Sequence, residues 1–394
     1  MKKILLILTT TLLLTACANT NDQDEKVDDK EVTKEEQKRT TKVQISKDYY
    51  RHLLPFEPTD TRGLTSSNMV SSYNAEHFEK GLLTISQKNF NPNDYLYSEG
   101  EVLNKDIIEG YLNPKYTKSE IKEMSDSEKE EKRAFANLGL NPSHKGEDDP
   151  EKIAENSPTY LAHILEQDFY IETDAKNNKL SGMTLGLAMN SVHYYQKEKN
   201  GPILSKNLDE DKVIKEGQKM AQEILNRIRV NDQVNDIPIT FAIYVQSTDT
   251  SLSPGEFVKY AHVSKKSKKI GKWENVDQQF VTVPTNEAAK LDKNINENYK
   301  RFNQDLKDFF PNYTTSIGLL EVKDGKAEEL KIDIPMDYYG QSEVVALTQF
   351  VGDLLNKYFS SVPNIELIIS DNQKPKATII KEAGEEEPFI HIFE

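Results

Sequence analysis

The sequence predicts an α+β protein: a mixed α/β body built on two strand–helix–strand units, preceded by a lipoprotein signal peptide and a disordered tether. Three observations carry this prediction. An apolar run near the N-terminus ends in a cysteine, and the segment after it is charged and poor in apolar side chains. Twice in the second half, the hydrophobic spacing passes from strand-like to helical and back.

Composition narrows the class. The chain has 394 residues, 36% of them hydrophobic and 29% charged, with a single cysteine, which argues against a membrane-embedded, collagen-like or disulfide-stapled protein. At about 100–200 residues per domain, two linked domains are expected, and 18 Tyr, 15 Phe and one Trp supply enough aromatic surface for sizeable cores. The net charge is −15, and it becomes two units more negative once a leader carrying Lys2 and Lys3 is removed. A nucleic-acid backbone would be repelled. The one lysine run, Lys265, Lys266, Lys268, Lys269 and Lys272, lacks an aromatic stacking platform and reads as a solvated loop, so no nucleic-acid partner is expected.

Residues 1–16 read as the signal peptide. Two lysines precede an apolar stretch too short to span a hydrocarbon core of roughly 30 Å, and the stretch ends in Leu14, Thr15, Ala16 and Cys17. Small residues before the cysteine suit cleavage by a lipoprotein signal peptidase between Ala16 and Cys17, and the thiol suits alkylation by a diacylglyceryl group. Cys17 is then the lipidation site, and membrane lipid is the first expected partner. Two acyl chains hold a protein stably where one does not. With the only cysteine so used, no disulfide, thiolate metal site or cysteine nucleophile remains in the mature body. Residues 17–47 carry the lipidated cysteine and the tether, whose charge density and lack of period prevent burial sufficient to offset ordering entropy.

The body begins near Tyr49, and residues 48–180 read as mainly helical. Asp149 before Pro150 and Ser157 before Pro158 each place a capping residue ahead of a proline, so a helix is expected to start at each. The run from Ser125 to Arg133 reads as an exposed helix face, and Tyr95 to Leu103, with Glu99 and Gly100 at its centre, as a short hairpin. Glu147, Asp148, Asp149 and Glu151 lack the alternating ligands and mid-loop glycine of a calcium loop; a helix dipole accounts for them. His163, among Leu161, Ile164 and Leu165, is expected on a helix face.

Residues 181–394 read as the α/β part. A strand over 183–195 is followed by a helix with Val213, Gly217, Met220, Ala221, Ile224, Leu225 and Ile228 at three- and four-residue steps, then by a strand over 237–245. The same order returns with a strand over 330–339, a helix striped by Val344, Leu347, Val351, Leu354, Leu355 and Tyr358, and a strand over 365–369. An internal duplication is one reading; the other is that any two such units with one buried helix face look alike. Between them, Ala288 to Phe309 reads as a long amphipathic helix stopped by Pro311, and Asp324 with Gly325 as a hairpin turn.

Motifs for chemistry are missing. There is no G-x-S-x-G, H-E-x-x-H, phosphate-cradling glycine loop or dinucleotide fingerprint, so no catalytic residues, metal or cofactor are predicted. Asp333 and Asp337 share a solvated strand face, which gives no reason for their pKa values to separate. The candidate binding residues are His193, Tyr194, Tyr195, Asp337, Tyr338, Tyr339 and Gln341, because each tyrosine pair ends a strand just before a turn and tyrosine favours interfaces.

NLGLNPSHKGEDDPEKIAE at 137–155, SPTYLAHILEQDFY at 157–170, SGMTLGLAMNSVHYY at 181–195, SPGEF at 253–257 and DIPMDYYGQSE at 333–343 resemble the CamS family, the staphylococcal sex-pheromone precursor lipoproteins. The resemblance runs from the cysteine motif over nearly the whole chain. It implies a mixed α/β fold of the roll type. It also implies that the peptide ahead of Cys17 is trimmed after cleavage and released as an inducer of conjugation. The matching stretch is TTLLLTA, Thr10 to Ala16, which lacks the isoleucine and phenylalanine of the peptide that names the family. The expected function is a lipoprotein on the outer face of the cytoplasmic membrane, with a body that binds a peptide or cell-wall ligand. The alternative is an enzyme of unfamiliar type acting on such substrates.

Overall fold

Among the described residues, two mixed sheets each carry a 19-residue crossover helix. The computed structural model describes residues 39–393 apart from 42, 44, 47, 48, 57, 133, 135, 174–176, 311–314, 338, 339 and 386. The expectations for the leader, Leu14, Thr15, Ala16, Cys17 and most of the tether therefore fall outside the described residues, as do Tyr338 and Tyr339.

Strands β1 (Arg39–Thr40) and β2 (Arg51–Leu54) lead into helices α1 (Arg62–Asn68) and α2 (Ser72–Ser86), then strand β3 (Leu96–Glu99). Helices α3 (Lys105–Leu112), α4 (Lys118–Glu123), α5 (Asp126–Glu131) and α6 (Pro150–Asn156) precede β4 (Leu161–Glu172) and β5 (Asn178–Asn190). A small hairpin, β6 (Val192–Tyr195) with β7 (Leu204–Asn207), comes before α7 (Glu210–Ile228) and the single turn α8 (Asp232–Asn235). Strands β8 (Ile239–Gln246), β9 (Glu256–Val263) and β10 (Glu274–Asn275) complete the first sheet. The second is built from β11 (Gln278–Val283), α9 (Asn286–Leu291), α10 (Lys293–Phe309), β12 (Ile317–Lys323), β13 (Lys326–Pro335), α11 (Gln341–Phe359), β14 (Asn364–Asp371), β15 (Lys374–Lys381) and β16 (Phe389–Ile392).

The two sheets repeat one strand order. In the first, β3-β4-β5-β8-β9-β10 are neighbours, with β1 and β2 added beside β3; in the second the order is β11-β12-β13-β14-β15-β16. In both, only the third and fourth strands of the six run parallel, β5 with β8 and β13 with β14, and the other pairs are antiparallel. The strand–helix–strand units expected from periodicity are these two parallel pairs, bridged by α7 and α11. Their shared order extends the likeness beyond the two units to whole sheets.

Strand β5 shows how sequence sets the layers. Its odd positions, Met183, Leu185, Leu187 and Met189, are large and pack with α7, whereas Gly182, Thr184, Gly186 and Ala188 face the other way. The small residues let α2 approach closely: a Cβ on Gly186 would lie 2.9 Å from both Leu82 and Phe78 of α2. Both faces of the sheet are thereby covered, with Phe78, Leu82 and Ile85 over one and Val213, Ala221, Ile224 and Leu225 over the other. Each of these side chains larger than Ala221, fully buried, contributes roughly 1.5–3 kcal/mol. The second sheet has its own core under α10 and α11; the end of β13 alternates buried with exposed positions and β14 buried with half-buried ones.

Several expectations are corrected. Leu161 to Glu172 is a strand, not a helix, and Ser157 ends α6 where a helix was expected to start. The reason is that β4 lies between β3 and β5, buried on both faces, so its run of apolar residues loses the alternation that marks a half-exposed strand. The division at residue 180 falls inside β5, which pairs along its length with β4 of the preceding part. Tyr95 to Leu103 is no hairpin; β3 pairs with β2 and with the distant β4. The strand over 183–195 breaks at Ser191, because Val192 to Tyr195 pair with β7 instead of continuing the sheet. The long helix is two, interrupted at Asp292, whose side chain accepts from Ile295 N at 2.9 Å and caps α10. β13 ends at Pro335, before residue 339. The cap at Asp149 with Pro150 does start α6, and Asp324 and Gly325, at φ 51° and 72°, do turn β12 into β13.

Candidate functional site

Where β3 leaves the first sheet, a cleft of about 300 Å3 opens between α1, α2, the end of β3 and the middle of β4. Its wall is built from β3 upward. Tyr97 packs edge-on against His52 of β2 at 4.9 Å, and Glu99, two residues on, extends to the same side of the strand. Glu99 is held at three points: Oε1 pairs with Arg62 Nη2 at 3.0 Å, and Oε2 accepts from Thr59 N at 3.0 Å and Thr59 Oγ1 at 3.3 Å. Arg62 in turn lies over the Phe56 ring at 5.0 Å. Glu79 of α2 lines the cleft as well, and its carboxylate makes no hydrogen bond to the described residues.

The floor includes Glu166, one of a buried acid pair. Gly100 crosses Glu166 of β4, which is 5% exposed and accepts from Val102 N at 2.9 Å and Leu103 N at 2.6 Å. Asp168, fully buried two residues along, accepts from Glu101 N at 3.2 Å. The pair thus collects the three amides of the turn that follows Gly100. Burial pushes both carboxyls above their ordinary range, and Asp168 is raised further by the charge of Glu166 beside it. Asp168 Oδ1 finds no hydrogen-bond partner among the described residues.

The cleft electrostatics follow from the same placement. Burial raises Glu79, assisted by Glu99 and opposed by Arg62, whereas burial lowers His52 against the pull of Glu99. Burial raises Tyr97 strongly, with Glu99 and Glu79 adding to it. Chemically this is a pinned guanidinium–carboxylate pair beside an unpartnered carboxylate and an aromatic wall. It suits recognition of a small polar ligand. Among the described residues, no group of three or more His, Cys, Asp or Glu side chains is placed to hold a metal ion.

A second cleft, about 430 Å3, lies between α2 and the exposed face of the second sheet. Tyr73, Leu252 and Ile317 border it, and Lys331 sits between Glu329 and Glu366 at 3.2 and 3.5 Å. A broader trough of about 620 Å3 runs past Glu256, Lys259, Asp277 and Asp324.

The sequence profile described as CamS sex pheromone cAM373 precursor matches residues 56–387, a span that holds every lining residue of these clefts named above except His52. The chain belongs to the CamS family. Among solved structures, it is similar to the C-terminal domain of the sex pheromone staph-cAM373 precursor from Staphylococcus aureus, at 48% identity and a TM-score of 0.74, covering 83% of this chain and 98% of that one. It is likewise similar to a sex pheromone precursor from Lactobacillus salivarius subsp. salivarius UCC118, at 28% identity and a TM-score of 0.78, covering 90% and 99%. No curated protein matches the chain.

Within this CamS body, the described members of the tyrosine-pair site make structural contacts. His193 Nδ1 accepts from Thr159 N at 3.1 Å and its ring stacks near Tyr195 at 6.1 Å; burial lowers its pKa. The Tyr194 hydroxyl donates to Asp249 Oδ1 at 2.8 Å and accepts from Asp249 N at 3.1 Å. Asp337 and Gln341 are exposed, Gln341 as the first residue of α11. None of these residues lines the clefts described above. Sequence reasoning missed Arg62, Glu79, Glu99, Glu166 and Asp168. The available signal was Glu166-Gln167-Asp168 inside an otherwise apolar run. A helix would carry those residues to its polar face, and only a central strand buries them.

Proposed function

We propose that this CamS chain is a lipid-anchored protein on the outer face of the cytoplasmic membrane, with a leader that releases a short apolar peptide and a body that acts as a binding module. Cys17 carries the diacylglyceryl group after lipoprotein signal peptidase cuts behind Ala16, and residues 17–47 tether the body. The observation that carries the binding reading is the cleft walled by Arg62, Glu99 and Tyr97, where a fixed charge pair and an unpartnered carboxylate converge beside aromatic rings. A peptide or cell-wall fragment bearing amine or hydroxyl donors matches that lining.

Two measurements test the two halves. Fatty-acid labelling should be lost in Cys17→Ala, and label persisting in that variant would remove the anchor. Soluble wall fragments and short peptides that raise the melting temperature of the wild type should fail to do so for Arg62→Ala. Arg62 is more than half exposed and Glu99 keeps its two bonds from Thr59, so loss of the pair should cost about 1 kcal/mol of stability. Ligands that shift both proteins alike would place the binding elsewhere.

A further inference from the structure

Arg229, which follows α7, is 4% exposed, and its guanidinium donates to five backbone carbonyls. Nε reaches Ser267 O at 3.0 Å, Nη2 reaches Ser264 O at 3.0 Å, and Nη1 reaches Ile237 O at 2.8 Å, Asn235 O at 3.2 Å and Val234 O. Gln222 of α7 adds two bonds, donating to Lys268 O at 2.9 Å and accepting from Ile270 N at 3.0 Å. Together these clamp the connection between β9 and β10 into one shape. The buried charge cannot be relieved by deprotonation, so the carbonyls must stay in place around it.

What the clamp displays is the lysine run. Lys265, Lys266, Lys268, Lys269 and Lys272 are all exposed on this connection. Lys266 pairs with Asp236 at 3.2 Å, and the other four make no ion pair among the described residues. Val230, next to the buried arginine, is 83% exposed. A chain with net charge −15 thus concentrates unpaired cations and a bare apolar side chain where α7, β8 and β9 meet their loops. Such a loop differs from a merely solvated one, because its geometry is set by bonds from a residue that itself never reaches solvent.

We propose that this pinned lysine loop docks the body onto an anionic phospholipid surface, with Val230 entering the headgroup layer. The proposal rests on the lipid-anchored reading above. A tether of this length, at ~5–6 Å times the square root of the residue number, keeps the body roughly 30 Å from the bilayer that holds Cys17. The remainder of the acidic body is repelled by such a surface. Attraction is therefore confined to the loop and to separations of about one Debye length, ~8 Å at physiological salt, which orients the body loop-first.

The test uses the chain from residue 18 onward, which lacks leader and acyl group but retains the whole compact unit of residues 38–394. It is sedimented with vesicles of phosphatidylcholine alone or with about 30% phosphatidylglycerol. Binding is expected only to the anionic vesicles and should fall with added salt. Lys265→Glu/Lys268→Glu/Lys269→Glu should weaken it by about a hundredfold, since each lysine near such a surface accounts for roughly fivefold. Lys323→Glu/Lys326→Glu, on the turn between β12 and β13, should leave it unchanged. The triple variant alters only exposed side chains, and an unchanged near-ultraviolet dichroism spectrum verifies its fold. Equal binding to neutral vesicles, or full binding by the triple variant, would overturn the proposal. So would capture of soluble polyphosphate with no binding to vesicles. Because the assayed chain is not acylated, its failure leaves the anchor to be judged by the labelling of Cys17, and the reverse holds too.

Discussion

A Cβ built on Gly100 would lie 2.3 Å from the Cβ of Glu166. The absence of a side chain at residue 100 is what lets the chain leave β3 directly over β4 and bring the amides of residues 101–103 onto the buried acid pair. The wall of the cleft and its floor are joined through that one close approach.

Gly100→Ala should therefore destabilise the body by about 1–3 kcal/mol, because β4 is a central strand and cannot shift to make room. Urea unfolding measures the loss, and hydrogen exchange should show the amides of residues 101–103 opening faster. Unchanged stability would mean that the strand gives way more easily than its packing implies.

The buried acid pair sets a pH dependence. Both carboxyls are raised in the folded state, so above an unfolded carboxylate pKa of about 4 the unfolded chain gives up protons that the folded chain keeps. The stability they contribute is full below that pH and is lost as pH rises toward the folded values. Asp168→Asn retains an acceptor for Glu101 N, offers an amide donor to Glu166 and cannot ionise. Its stability should fall less than that of the wild type between acid and mildly alkaline pH, as read from urea midpoints across the range.

His163 acts in the opposite direction. It is 1% exposed, shares a hydrogen bond with Thr65 Oγ1 at 3.0 Å, and burial lowers its pKa to about 4. Below an unfolded pKa of about 6.5 the unfolded chain takes up a proton the folded chain refuses, so stability is lost as pH falls from there toward 4, by about 3 kcal/mol in all. His163→Gln should flatten that acid limb. An acid limb as steep as that of the wild type would assign it to other groups, His77 first, which burial also lowers to about 4.

The leader peptide gives a prediction independent of the body. A fragment ending at Ala16 should appear in culture medium, detectable by mass spectrometry. TTLLLTA carries three threonines, and loss of apolar area at ~25 cal/mol per Å2 over two or three positions should weaken capture by a receptor shaped for larger apolar side chains, by orders of magnitude. Equal clumping activity of synthetic TTLLLTA and an isoleucine- and phenylalanine-containing peptide would contradict this.

Local patterns alone were enough for the two strand–helix–strand units, the cap at Asp149, the turn at Asp324 and Gly325, and the family. Each is written in spacing or turn chemistry within a few residues. The striped faces of α7 and α11 are legible because each helix has one side in a core and one in water. Tertiary structure decided the rest. β4 could not be recognised as a strand because neighbours on both sides and layers on both faces erase its alternation, and with it went the meaning of Glu166 and Asp168. The cleft joins Arg62, Glu79, Glu99 and Glu166 across a hundred residues of chain, and no local period records a contact made at that distance. Likewise the lysine run is visible as a charge run, but the arginine that shapes it lies some forty residues earlier, buried where only the fold places it.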